Sequence, residues 1–177
     1  MKIEIIDNFL SDYYADSYEK YFGGTENLCS QFKWFFMNNL NSSDEGDGAK
    51  RLGNYYFNNT AIDDYKIFAE DQLPLYQPLL NKLGVEFSRI KRIKANLYPR
   101  TQFRDHHQSH RDYPADSGLR TCLYYVNTNN GVTIFDGKRK VKSKKNRAIF
   151  FDGSNRHHST SPTNCNWRCS INIDYRI

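Results

Sequence analysis

The sequence predicts a mainly β fold with supporting α-helices, in which a helical N-terminal part packs on a C-terminal β-core. From Ile90 onward, short β-branched and aromatic runs separated by turn signals recur at intervals of about 8–12 residues, which is typical of an all-β barrel or sandwich. Before that point, apolar and aromatic residues recur at helical spacing. Aromatic residues make up 15% of the chain, which suits a β-rich core.

In the N-terminal part, two segments carry helical patterns. Ser11 offers an N-cap to the first helix, and the pair Gly23-Gly24 ends it. The segment from Ile62 to Leu83 predicts one or two further helices. Their buried stripe would contain Phe68, Leu73, Tyr76, Leu79 and Leu80. Between these segments, Gly53 to Phe57 predicts a strand.

The C-terminal part contains a series of apolar and aromatic runs that predict strands. They cover residues 93–98, 121–126, 132–135, 148–151 and 169–175. Asp136-Gly137 and Asp152-Gly153 supply turns, the first of them a strong hairpin signal. No repeat or linker marks a boundary, so we expect a single domain over residues 1–177. Its N-terminal support helices would cover about 1–89 and its β-core about 90–177.

Composition excludes several classes of protein. Hydrophobic residues make up 38% and charged residues 25%, which is typical of a globular rather than a disordered chain. No apolar run approaches the roughly 20 residues that span a membrane, and the N-terminus does not have the pattern of a signal peptide. The four cysteines lack zinc spacing, so we expect reduced thiols in a cytoplasmic protein. We also expect the protein to be a monomer. The net charge of +5 does not by itself indicate nucleic acid.

The residues that point to chemistry are His110, Asp112 and the pair His157-His158. Side chains at positions i and i+2 of a strand share a face, so His110 and Asp112 would converge on one point. A third ligand must come from elsewhere, and the pair supplies the only histidines further along the chain. Two histidines and one carboxylate leave three metal positions open, which is the arrangement of non-haem Fe(II) oxygenases.

Arg168 is the candidate for binding a carboxylate. Such oxygenases can use 2-oxoglutarate, which chelates iron through its oxo acid end and needs its far carboxylate bound. A planar guanidinium meets a carboxylate with two parallel hydrogen bonds. Arg168 lies 11 residues after His157, enough for a turn and a return strand, and Ser170 shares its face. The alternative for Arg168 is an exposed arginine on an edge strand.

The segment from about Ile93 to Ile177 resembles the 2-oxoglutarate/Fe(II)-dependent dioxygenases. The likeness is to the prolyl-4-hydroxylase-like branch, which includes the hypoxia-sensing prolyl hydroxylases. The matching residues, in chain order, are Leu97-Tyr98-Pro99, His110-Arg111-Asp112, 122–127, 130–135, His157-His158 and Arg168-Cys169-Ser170. The resemblance implies a double-stranded β-helix, or jelly roll, with a cupin-like core.

The resemblance also implies an iron site with three ligands. His110 and Asp112 would be two of them. For the third, His158 has the spacing to Pro162 that is common in relatives, whereas His157 fits better when counted from the preceding turn at 151–153. We favour His157 and keep His158 as the alternative.

The resemblance places further residues around 2-oxoglutarate. Arg168 would pair with the distal carboxylate, which Tyr125 would also hydrogen-bond. Ser170 would add a hydroxyl donor, Leu123 would form a wall of the pocket, and Tyr98 would lie near the oxo acid end. For both tyrosines the alternative is packing in the core.

The activity implied by the resemblance is hydroxylation of a peptidyl proline or another amino-acid side chain, with succinate and CO2 as co-products. Fe(II), 2-oxoglutarate and O2 would be required, with ascorbate as a further cofactor, and the substrate would be a peptide, a protein or a small molecule. One alternative is an AlkB-like nucleic-acid demethylase on the same iron centre. Its only support is the segment Lys138–Arg147, which holds seven basic residues in ten and otherwise predicts a solvated hairpin. The other alternative is a non-enzymatic cupin-like binding module, which the complete ligand set and Arg168 disfavour.

Overall fold

The computed structural model describes residues 2–24, 32–37, 56–136 and 138–177. Its strands are β1 (Glu4–Asp7), β2 (Phe35–Met37), β3 (Tyr56–Asp63), β4 (Lys66–Ile67), β5 (Ile90–Pro99), β6 (Leu119–Tyr125), β7 (Val132–Phe135), β8 (Arg139–Lys142), β9 (Arg147–Asp152), β10 (His157–Ser159) and β11 (Trp167–Arg176). Its helices are α1 (Asp12–Gly23) and α2 (Leu73–Leu83). The predicted mainly β class with supporting helices is therefore confirmed.

The strands form two antiparallel sheets. The larger has the order β1-β9-β6-β11-β5-β3-β2, with β4 beside β3, and the smaller has the order β10-β7-β8. Isolated bridges from His106 to Thr160 and from His110 to His157 add the segment 106–110 to the smaller sheet. The region before residue 90 thus contributes strands to the larger sheet as well as the two helices.

Strand β11 lies at the centre of the larger sheet and presents two different faces. Its residues 169, 171, 173 and 175 belong to an apolar core together with Tyr18 and Phe22 of α1 and Tyr76 and Leu79 of α2. Because successive side chains of a strand point to opposite faces, the polar residues 168, 170, 172 and 174 face away from the helices. A second apolar cluster, which includes Tyr125 and Phe135, contains residues of both sheets.

Helix α1 confirms the prediction made from Ser11 and the glycine pair. Ser11 is the N-cap residue, and Tyr18 and Phe22 are buried. The prediction for the segment 62–83 is correct only in its second half. Residues 62–63 end β3, residues 66–67 form β4, and helix α2 begins at Leu73. Gly84 ends α2 with φ at 63°, a left-handed conformation that glycine adopts without strain.

The predicted strand at Gly53 to Phe57 coincides with the described residues only at Tyr56 and Phe57, which begin β3. Residues 53–55 lie outside the described part of the chain. Strands β7 and β8 pair antiparallel, as expected for the hairpin at Asp136. Among the described residues, no helix is long and apolar enough to cross a membrane.

Candidate metal and carboxylate site

A cavity of about 180 Å³ lies against the polar face of β11. It is lined by Tyr56, Arg92, Lys94, Asn96, Tyr98, His110, Arg111, Asp112, Leu123, Thr133, His157, Ser159, Arg168, Ser170 and Asn172. Most of these residues come from alternate positions of neighbouring strands. On β5 and β11, the register places Tyr98 opposite Arg168, and Asn96 opposite Ser170.

Three potential metal ligands converge at this cavity. His110, Asp112 and His157 each offer a ligand atom, and these atoms all lie within 4.8 Å of one another. Nε2 of His157 is 3.5 Å from Oδ2 of Asp112. Among the described residues, this is the only such group of three.

Backbone contacts orient the two imidazoles. Nδ1 of His110 is 3.1 Å from the carbonyl oxygen of Gln108, and Nδ1 of His157 is 2.9 Å from that of Asn155. A carbonyl can only accept, so each Nδ1 carries the proton and each Nε2 keeps a free lone pair. His110 and His157 also exchange two backbone hydrogen bonds of 3.0 and 2.9 Å, which fix their relative position. Both rings are thereby prepared to bind a metal through Nε2.

The other member of the histidine pair lies apart from this group. His157 is buried, whereas His158 is half-buried, and its Nε2 lies 3.3 Å from Nδ1 of His106. The structure therefore brings His157, and not His158, to His110 and Asp112.

A half-buried arginine, Arg92, orients the carboxylate of Asp112. Nη2 of Arg92 donates to Oδ1 of Asp112 at 2.7 Å, while Oδ2 is buried and has no hydrogen-bond partner among the described residues. Burial acts to raise the pKa of Asp112, but the positive charge of Arg92 and the neighbouring His157 and His110 hold it below its usual value. The carboxylate is thus ionised, with one oxygen oriented by Arg92 and the other free toward the histidines.

A second carboxylate, that of Asp174, also binds Arg92. Nε of Arg92 donates to Oδ2 of Asp174 at 2.6 Å, and the hydroxyls of Thr121 and Tyr113 donate to Asp174 at 2.7 and 3.1 Å. Complete burial raises the pKa of Asp174. This network ties β5, β6 and β11 to the segment that carries Asp112.

Arg168 is a buried cation that has no carboxylate partner among the described residues. The residue is only 1% exposed. Its Nε donates to the hydroxyl of Ser143 at 2.7 Å, and its Nη2 donates to that of Thr133 at 3.0 Å. Its Nη1 is buried and has no partner among the described residues. A Cβ at Gly131 would lie 2.7 Å from Cδ of Arg168, so the glycine permits the close approach of the arginine stem. A guanidinium in this setting is stabilised when an anion enters the cavity.

The remaining predicted residues lie beside this arginine or line the same cavity. The rings of Tyr98 and Tyr125 each lie with their centroid 5.5 Å from the Arg168 guanidinium carbon. The Tyr125 hydroxyl donates to Thr133 at 2.7 Å. Ser170 and Leu123 are buried and line the cavity.

A neutral histidine supports Tyr98 from behind. His107 packs on the Tyr98 ring with the centroids 4.5 Å apart and contacts the hydroxyls of Ser159 and Ser161 at 2.6 and 3.2 Å. Burial and, less strongly, the charge of Arg168 lower the pKa of His107 to about 3. His107 is therefore an uncharged packing partner.

The sequence analysis missed several residues that line the cavity, among them Arg92, Lys94, Asn96, Thr133 and Asn172. It also missed Ser143 and Asp174, which bind Arg168 and Arg92. A signal for some of them exists. Polar residues occupy every second position of the otherwise apolar strand β11, which indicates a polar cavity on one face. Arg92, Lys94 and Asn96 follow the same rule on β5.

Comparisons with solved structures identify the fold. A viral collagen prolyl hydroxylase from Paramecium bursaria Chlorella virus-1, solved with 2-oxoglutarate, aligns with a TM-score of 0.60 at 16% identity over 100% of this chain and 97% of that one. A prolyl hydroxylase from Trichoplax adhaerens, in complex with a peptide fragment of the hypoxia-inducible factor, aligns with a TM-score of 0.59 at 17% identity over 98% and 83%. A 2-oxoglutarate-Fe(II) oxygenase-family oxidoreductase from Burkholderia pseudomallei gives a TM-score of 0.61 at 11% identity over 99% and 85%.

The chain has the fold of the 2-oxoglutarate/Fe(II) oxygenases. The predicted double-stranded β-helix is thereby confirmed. No protein-family model matches the sequence, and no curated protein matches it. In this double-stranded β-helix, the two sheets carry the histidines and the arginine to one cavity.

Proposed function

We propose that the chain is an Fe(II)/2-oxoglutarate-dependent dioxygenase that hydroxylates a peptidyl proline or another amino-acid side chain. The observation that carries this proposal is the buried Nη1 of Arg168, which has no hydrogen-bond partner among the described residues. Arg168 lines the same cavity as His110, Asp112 and His157. A buried cation and a metal-ligand set in one cavity fit a cosubstrate with a metal-chelating end and a carboxylate end.

Each residue of the cavity has a role in this proposal. His110, Asp112 and His157 would hold Fe(II), whose remaining positions stay open. Arg168 would bind the distal carboxylate of 2-oxoglutarate, because Ser143 and Thr133 orient its fork but do not neutralise its charge.

The surrounding side chains would position and shield the cosubstrate. Tyr125 and Ser170 would add hydroxyls beside Arg168, and Leu123 and Tyr98 would limit the entry of water. When bound, Fe(II) and 2-oxoglutarate supply the reaction with O2 that yields succinate, CO2 and a hydroxylated carbon, with ascorbate as an auxiliary reductant.

The substrate assignment is supported by the similar structures. Two of them are named as prolyl hydroxylases, and the Trichoplax enzyme was solved with a peptide. A substrate peptide is therefore favoured over nucleic acid. The basic segment gives little support to the demethylase alternative, because Lys144, Lys145 and Arg147 form ion pairs with acidic residues near the N-terminus.

The buried thiols of Cys122 and Cys169 are free, which fits the expected cytoplasmic location.

The decisive experiment combines metal binding with release of succinate. The wild-type protein should bind one Fe(II) or Mn(II) and release succinate from 2-oxoglutarate in an iron-dependent reaction. Asp112→Ala should lose metal binding. Arg168→Met should bind 2-oxoglutarate about ten- to a hundred-fold more weakly, which corresponds to a charge-assisted hydrogen-bonded pair.

A matched variant controls for loss of an arginine elsewhere. Arg89 is exposed and lies outside the cavity, so Arg89→Met should bind 2-oxoglutarate as the wild type does. Equal affinity of the Arg168→Met protein and the wild type for 2-oxoglutarate would refute the role of Arg168. Unchanged metal binding in Asp112→Ala would refute the iron site.

A further inference from the structure

Lys94 places a second unneutralised cation in the cavity. It lies on β5 between Arg92 and Asn96 and lines the cavity with both. The residue is half-buried, and its Nζ lies 5.6 Å from the centroid of the Tyr56 ring. Among the described residues, none forms a hydrogen bond or an ion pair with the Lys94 ammonium group.

The charges around the cavity do not balance. Its described lining contains four cations, Arg92, Lys94, Arg111 and Arg168, and one carboxylate, Asp112. Arg92 is neutralised by Asp112 and, behind the cavity wall, by Asp174. Iron and 2-oxoglutarate would bring two positive and two negative charges, so Lys94 and the exposed Arg111 would still be in excess.

We propose that Lys94 binds a carboxylate of the substrate, so that the enzyme acts on an anionic amino acid derivative rather than on a neutral prolyl peptide. This inference rests on the proposed oxygenase function and specifies its substrate. Arg111, exposed on the segment between the iron ligands His110 and Asp112, adds positive charge at the opening and favours the same class of substrate.

The surroundings of Lys94 support this assignment. Burial and, to a smaller extent, the neighbouring charge of Arg92 lower the pKa of Lys94, and the more distant carboxylates of Asp112, Asp63 and Asp174 offset this only in part. A substrate carboxylate would supply a closer anion. Two asparagines also line the cavity, and Nδ2 of Asn96 donates to Oδ1 of Asn172 at 3.3 Å. The remaining donor and acceptor groups of these amides can bind the rest of a polar substrate.

The carboxylate has two chemical sources, which matched probes distinguish. One is the α-carboxylate of a free amino acid, tested with L-proline against L-prolinamide. The other is the side chain of an acidic residue beside the hydroxylated one, tested with a capped proline–aspartate dipeptide against capped proline–asparagine. Dissociation constants are measured by calorimetry on the protein loaded with Mn(II) and 2-oxoglutarate.

The carboxylate member of at least one pair should bind the wild type about ten- to a hundred-fold more tightly than its amide. Lys94→Met should abolish this preference, and Lys94→Arg should retain part of it. Lys91→Met is the matched control, because Lys91 lies on the same strand but pairs with Asp64 outside the cavity. It should keep the wild-type preference.

Three results would overturn the inference. These are the absence of a carboxylate preference in both pairs, an undiminished preference in Lys94→Met, and a loss of 2-oxoglutarate affinity in Lys94→Met as large as the loss for the probe. The last result would indicate that the ammonium group of Lys94 binds 2-oxoglutarate rather than the substrate.

Metal and 2-oxoglutarate binding by the wild type are measured on the same preparation. Failure of either would refute the proposed function and this inference together, whereas a missing preference with both intact refutes the inference alone.

Discussion

His157 and His158 are adjacent in the sequence but have different chemical surroundings. His157 donates from Nδ1 to the carbonyl of Asn155 and turns Nε2 toward Asp112. His158 instead contacts His106 at the surface, and burial together with the charge of His106 lowers its pKa. Because successive residues of a strand face opposite sides, only one of the pair can reach the cavity.

We therefore expect His157→Ala to abolish iron-dependent succinate release and His158→Ala to retain most of it. The physical reason is that His157 has the backbone partner that prepares Nε2 for a metal. Mn(II) binding and succinate release are measured on both variants. Loss of activity in His158→Ala alone would move the ligand to the other histidine, and loss in neither would refute a three-ligand centre.

The residues of the candidate site differ in how visible they are in the sequence. His110 and Asp112 could be predicted because they lie two residues apart, and Arg168 because the resemblance includes it. Arg92 and Asp174 could not, because 82 residues separate them and only the register of β5 and β11 brings them together. A local pattern cannot show which distant strands will pair.

At the scale of single elements, strand β1 is attached to the larger sheet by both backbone and charge. Asp7 is paired with Arg147 in the register of β1 and β9. Nε and Nη2 of Arg147 donate to its two carboxylate oxygens at 2.6 and 3.0 Å, and Lys144 lies 2.9 Å from one of them. These hydrogen bonds, first from Arg147 and then from Lys144, hold the pKa of Asp7 well below its usual value.

We expect Asp7→Asn to lower the free energy of unfolding by up to about 1 kcal/mol at pH 7, because these groups are partly exposed and screened by solvent. A carboxylate whose pKa is lower in the folded state stabilises the fold above its unfolded pKa of about 3.9, and the effect is lost as the pH falls. The difference in the free energy of unfolding between variant and wild type should therefore become smaller below about pH 4. Urea unfolding at several pH values measures this difference.

A control variant separates this ion pair from a general effect of charge. Asp116 is exposed and forms no ion pair with a described residue, so Asp116→Asn should change stability little at any pH. If the loss of unfolding free energy in Asp7→Asn stays constant down to pH 2, the electrostatic explanation is wrong.

The element that the sequence predicted least well is the segment 62–83. Its apolar residues recur at helical spacing, and the second half does form α2. Residues 62–63 and 66–67 belong to strands because β3 pairs with β5 and with β4, and sheet pairing overrides local periodicity. The C-terminal strands were predicted more reliably, since their alternation and turns agree with their place in the fold.

At the scale of the whole molecule, the basic segment 138–147 divides into two parts. Lys144, Lys145 and Arg147 pair with acidic residues of β1 and α1. Lys138 and the side chains of Lys140 and Lys142 are exposed along β8, which is the outer strand of the smaller sheet among the described residues. Charged side chains on such a strand discourage pairing with another chain.

Replacing Lys138, Lys140 and Lys142 by glutamate should leave 2-oxoglutarate affinity and substrate-free succinate release unchanged, because none of the three lines the cavity. Turnover of the substrate should then depend on salt as it does in the wild type. Both rates are measured at two ionic strengths. A selective loss of substrate turnover at low salt would instead identify this strand as a docking surface for an acidic partner.

The two faces of β11 give the strand a particular sensitivity to mutation. At positions 169, 171, 173 and 175, a change disturbs the packing of the helices on the sheet, so the damage falls on folding and on the amount of protein. At Arg168, Ser170 and Asn172, the fold can persist while ligand recognition changes. Inherited substitutions at successive positions of this strand would therefore alternate in their effect. One would reduce the amount of folded protein, and the next would change the ligand that the protein binds.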